Sequence, residues 1–206
     1  MAFRDFTHPE VLTQLGLTER PVVNLFGDVP PVPATDLLRK YLAANGPLAS
    51  VVDTELSRAS WLIGPVLADL WGRYGGQVSV YAGSNFPADP DAGLNGYSDF
   101  LIGRAPQRRA VTAPVVVIGE SKTHSTLDGL GQSIAGMVGA QRFNRRAGAS
   151  VDPVYGCATT GSNWRFLRLT GTRLEQDLTE YSLGDVDRIL GILIHMVGPV
   201  SVPAAA

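Results

Sequence analysis

Two carboxylates and a lysine stand out for their spacing and their surroundings. Asp99 lies in GYSDFLIGR, and Glu120 and Lys122 lie in VVVIGESKTH. Both segments read as strands, in which residues two apart project to one face, so Glu120 and Lys122 point side by side. Adjacent strands run about 4.8 Å apart, so Asp99 reaches the same point if the two strands pair. Hard divalent cations such as Mg2+ prefer carboxylate, carbonyl and water oxygens, and Mn2+ shares that preference. Asp99, Glu120 and the backbone carbonyl of Ser121 make up such a ligand set. A cation held there would polarise a phosphoryl oxygen. Lys122 would position an attacking water and stabilise the charge that builds on phosphorus-bound oxygens. An ammonium is a compact point charge whose pKa responds to its surroundings, which a guanidinium's does not. Of the 17 lysines and arginines in the chain, only Lys40 and Lys122 are lysines. The structural alternative is a surface ion pair for Glu120 and Lys122 and a strand-edge charge for Asp99.

These residues need a sheet to position them. Residues 77–83, 97–104 and 113–124 show strand patterning, and Val115 to Ile118 is apolar on both faces, which predicts a central strand. The helix expected over 126–146 carries Leu127, Leu130, Ile134, Met137, Val138 and Phe143 on one side. VYGCATT and WRFLRLTG, separated by a Gly-Ser-Asn turn, read as a hairpin. TRLEQDLTEYSL allows one more strand, and 183–197 closes with a helix. Upstream, a short helix is expected from Thr35 or Asp36 to Ala44, stopped near Gly46. A longer one is expected over 47–74, kinked or interrupted at Pro65. Residues 1–46 read as an N-terminal arm with that short helix, 47–198 as the main domain, and 199–206 as a flexible tail. The expected architecture is α/β (α+β): a mixed sheet flanked by helices.

Composition narrows the function classes. The single cysteine, Cys157, excludes an internal disulfide and any cluster built on cysteines, and reads as buried strand core. No GxGxxG after a strand and no P-loop is present, which disfavours nucleotide-cofactor folds. The N-terminus lacks a signal-peptide pattern, and the longest apolar run is too short to span a bilayer, so a cytoplasmic protein without membrane association is expected. Net charge is −2, but residues 104–173 hold 10 basic and 3 acidic side chains, against 6 and 11 in residues 1–103. Such a basic island in an acidic chain suits contact with an anionic partner, or is ordinary charge segregation.

The D…ExK strand pair resembles the PD-(D/E)xK nuclease superfamily, and the resemblance runs from about residue 47 to residue 170. GYSDFLIGR is similar to the family's strand with a metal-binding Asp. Ser98 stands where a proline is usual, a departure expected not to touch a ligand. VIGESK matches the ExK strand. TELSRASWLIGPVLADL resembles the helix that opens the core and supplies an acid, here Glu55, and Gln132 matches a glutamine facing the site from the following helix. VYGCATTGSNWRFLRL is similar to the hairpin that follows. The resemblance implies a restriction-endonuclease-like fold with core order αβββαββ. It implies Mg2+- or Mn2+-dependent phosphodiester hydrolysis of nucleic acid, DNA before RNA, by an endonuclease. A role in defence against foreign DNA, and work as a homodimer or in a complex with a partner protein, come by analogy. His124 is expected on the strand face of Glu120 and Lys122, as a substrate contact or an ordinary exposed histidine. Arg142, Arg145 and Arg146 either complement a helix C-terminus or touch phosphates. Trp164 is a packed hairpin residue or a base-stacking platform. The rival reading is a catalytically silent module that binds a partner protein through the Pro-rich residues 21–33; a small-phosphoester hydrolase is a third.

Overall fold

The computed structural model describes residues 2–199. Eight strands form one mixed sheet: β1 (Thr18–Val22), β2 (Ser79–Asn85), β3 (Tyr97–Gly103), β4 (Val115–Ser121), β5 (Val154–Thr159), β6 (Asn163–Thr170), β7 (Arg173–Asp177) and the two-residue β8 (Tyr181–Ser182). Their spatial order is β1-β7-β6-β5-β4-β3-β2, with β8 also paired to β6. Every residue of β4 is buried, as its doubly apolar run predicts. β4 pairs antiparallel with β3 and parallel with β5. A parallel neighbour demands a long crossover, and the helix α5 (Leu130–Arg146) supplies it.

Helices cover both faces. One core cluster joins Phe100, Val117, Tyr155, Cys157 and Trp164 of the sheet to α4 (Gly64–Arg73) and α6 (Val186–Val197). The other joins Leu101, Ile118, Ala158 and Leu167 to α5 and to the N-terminal residues Phe3, Phe6 and Val11. The mixed α/β architecture with flanking helices is therefore as expected, and Cys157 is buried strand core. Among the described residues no helix is long and apolar enough to cross a membrane.

The upstream helices divide differently from the expectation. α2 (Asp36–Val52) opens where Thr35 accepts from the Leu38 N–H, then runs through Gly46 and Pro47 without stopping. Packing against the next helical segment overrides the weak local preference of those two residues. The break comes at Asp53, held left-handed with φ 49°, and at Thr54, whose hydroxyl accepts from Ser57 N–H at 3.1 Å and caps α3 (Glu55–Arg58). The boundary expected between 46 and 47 thus falls inside a helix. Pro65 is accommodated by a π turn over Ala59–Ile63, where the Gly64 N–H reaches back five residues to Ala59. Pro65 then sits in the first turn of α4, where its missing N–H costs little.

Residues 1–33, expected as an arm, instead contribute a 3-10 turn (Phe3–Asp5), α1 (Glu10–Leu15) and the edge strand β1, which pairs parallel with β7. Pro21 is tolerated there because an edge strand need not donate on its open side. Of the expected tail, residues 200–206 lie outside the described residues.

Candidate active site

The site forms where β3 and β4 part. Their backbone ladder runs from Gly103↔Val115 to Phe100↔Gly119 and stops one residue short of Asp99 and Glu120. Past that point side chains replace backbone partners. The Asp99 carboxylate accepts the Ser121 N–H at 2.6 Å through Oδ2. The hydroxyl of Ser98, itself buried, lies 3.0 Å from Oε1 of Glu120. On the other side of β4 pairing continues, with the Lys122 N–H donating to Thr159 at 2.8 Å.

Glu120 is fully buried and forms the floor, whereas Asp99 and Lys122 are half-buried and form the open side. Oε2 of Glu120 has no hydrogen-bond partner. Burial, next the charge of Asp99 and last a carboxyl–carboxyl contact with Asp99 push the Glu120 carboxyl well above the usual carboxylate range; Ser98 and Lys122 oppose this less strongly. A partnerless buried oxygen beside a second carboxylate is what a cation would relieve, so the residues present fit a hard divalent ion. Among the described residues no group of three His, Cys, Asp or Glu side chains is placed to share an ion.

The roof comes from the β4–α5 connection. A 3-10 turn (Thr126–Gly129) leads into α5. Gly129 lies so close over the sheet that a Cβ there would meet Ala158 Cβ and Lys122 Cγ at 3.3 Å and Glu120 Cβ at 3.5 Å. One turn on, Gln132 accepts from the Lys122 ammonium at 3.2 Å through Oε1. Thr126 is anchored by Glu180 and by Arg165, whose guanidinium also donates to the Asp177 carbonyl at 3.0 Å and pairs with Glu180 at 3.2 Å. Arg165 stands opposite Ala158, which in turn stands opposite Glu120, so this brace shares the site's sheet row.

The structure therefore brings Asp99, Glu120, Ser121, Lys122 and Gln132 together. Glu55 is exposed on α3. Its neighbour Arg58 ties that helix to the Thr160 carbonyl at 3.0 Å, near the same sheet end, but no hydrogen bond or ion pair links Glu55 to the site. His124 is displaced from the expectation: β4 ends at Ser121, and His124 lies exposed in a bend. Strand parity no longer governs it. Arg142 and Arg146 both pair with Asp89, at 2.8 and 3.3 Å. They and Arg145 sit in the last turns of α5, about 15–20 Å along the axis from Gln132, away from the carboxylates. Trp164 is fully buried, with its indole N–H on the Gly161 carbonyl at 3.1 Å, so it is a packed hairpin residue and offers no stacking platform.

Ser98 is the residue that sequence reasoning misplaced, because it does touch the candidate ligand Glu120. Strand alternation assigns it to the face opposite Asp99, and only the parting of the ladder lets it reach across. Thr126 and Arg165 carried no periodic or spacing signal. Comparison with family models, with curated proteins and with solved structures returns no match.

Proposed function

We propose that the chain is a divalent-cation-dependent nuclease that hydrolyses phosphodiester bonds of nucleic acid, with DNA as the expected substrate. The observation that carries this reading is the convergence of Asp99 and Lys122, the latter held by Gln132, on the buried carboxyl of Glu120. In this reading α2–α4, β2–β4, α5 and β5–β6 are the αβββαββ core of a restriction-endonuclease-like fold, and the chain acts in the cytoplasm.

Asp99, Glu120 and the Ser121 carbonyl would hold Mg2+ or Mn2+. When bound, the ion supplies Lewis acidity toward a phosphoryl oxygen. Lys122 presents its ammonium from the half-buried rim to a phosphate oxygen and to the attacking water. Gln132 holds that ammonium in place, so little of its freedom remains to be lost at the transition state. Water oxygen adds to phosphorus, the P–O ester bond breaks, the departing oxygen takes up a proton and the attacking water gives one up. The Ser121 amide orients Asp99, and burial keeps bulk water from Glu120.

The rival silent module draws on the carboxylate pair having, among the described residues, no third His, Cys, Asp or Glu placed to share an ion. Cleavage of supercoiled and linear DNA with Mg2+ or Mn2+ separates the two readings. Wild-type protein is expected to cut, and Glu120→Ala and Lys122→Ala to lose activity by at least about a hundred-fold. Equal cleavage by all three proteins, or none by wild type with either ion, sinks the nuclease.

A further inference from the structure

We propose that Ser98 is the positioning residue for Glu120: its hydroxyl ties down Oε1 and thereby leaves Oε2 as the oxygen that meets a cation. The inference rests on the divalent-cation reading of the site and assigns within it a role that no ExK spacing carries.

Ser98 is 1% exposed, so water does not compete for its hydroxyl. Three acceptors lie in reach: Glu120 Oε1 at 3.0 Å, the Gly119 carbonyl at 3.4 Å and the Phe100 carbonyl at 3.5 Å. A hydroxyl has one proton to give. The carboxylate oxygen is both the nearest acceptor and, when ionised, the strongest. The contact depends on the break in the β3–β4 ladder, since Ser98 otherwise belongs to the opposite sheet face. Each carboxylate of the pair is then tethered by one oxygen, Asp99 through the Ser121 amide and Glu120 through Ser98. A residue without a donor at position 98 would leave Oε1 of Glu120 buried without its hydroxyl partner, and the tether that selects the rotamer would be lost.

Titration of the DNA-free protein with Mn2+, followed by electron paramagnetic resonance, tests the assignment without reference to cleavage. S98A is expected to weaken Mn2+ binding about ten-fold, the scale of one hydrogen bond to a charged group. S98T, which keeps a hydroxyl, is expected to bind within about two-fold of wild type. S98C keeps the volume with only a weak donor, and is expected to fall between S98A and wild type. Thermal melting identifies which variants are folded. Wild-type affinity in a folded S98A or S98C overturns the role of Ser98 alone. Absence of a bound-Mn2+ signal in wild-type protein overturns the cation site itself, and this assignment with it.

Discussion

Glu120 carries two opposed demands. A fully buried carboxyl beside a second carboxylate is costly to ionise in the metal-free fold, and a hard cation would offset that cost. Its carboxyl titrates higher in the folded chain than in the unfolded chain, because burial and then Asp99 disfavour its charge. Stability from that difference is present in full below the ordinary glutamate value of 4.5 and is lost as pH rises through the folded value. Glu120→Gln keeps the shape and removes the charge. In chelator, its melting temperature is expected to exceed wild type by on the order of 5 °C at pH 7.5, with the gap closing toward pH 4. Millimolar Mg2+ should raise the wild-type midpoint and leave E120Q unmoved. Equal midpoints at pH 7.5 would show that burial of this carboxyl costs nothing. Glu120 and Lys122 were legible because a two-residue repeat is geometry, Asp99 through the pairing expected of its strand, and Gln132 through the resemblance of its helix. Ser98 was illegible for the same reason: strand parity puts it on the wrong side, and nothing in the residue types marks where a ladder ends.

The elements show the same division between strong and weak signals. β4 announced itself by an unbroken apolar run, and β3 by its alternation. The upstream helices did not, because Gly46 and Pro47 suggest a stop that tertiary packing ignores, while the true boundary rests on one left-handed aspartate and one hydroxyl. Thr54 holds that boundary. Its Oγ takes the Ser57 N–H at the start of a four-residue helix too short to persist on its own. Thr54→Ala is therefore expected to destabilise the chain by about 1 kcal/mol in urea unfolding, and T54S by only a few tenths. Indistinguishable midpoints for T54A and wild type would mean that the Asp53–Arg58 pair, at 2.7 Å, fixes the turn without the cap.

At the scale of the whole molecule, the N-terminal segment packs on the helix that carries Gln132. Residues 1–33 are rich in proline, so they read as an extended arm lying on the domain. Yet Phe3 is 1% exposed and stacks on Phe86 with ring centroids 6.1 Å apart. A Cβ at Gly131 would lie 2.4 Å from the Phe6 carbonyl, and one at Gly139 3.2 Å from the Phe3 ring. The segment is thus pressed along α5, the helix that brings Gln132 to Lys122. Short elements with single buried anchors leave no repeat to detect, although their burial is complete. An arm and a core element respond differently to truncation of one side chain. Phe3→Ala is expected to cost about 3–5 kcal/mol, the range for emptying a buried aromatic site, whereas Leu37→Ala, at 78% exposure, should stay within about 0.5 kcal/mol of wild type. Denaturant midpoints at constant slope measure both. If F3A unfolds with the wild-type midpoint, the N-terminus is an arm after all, and α5 must owe its position over Glu120 to the sheet alone.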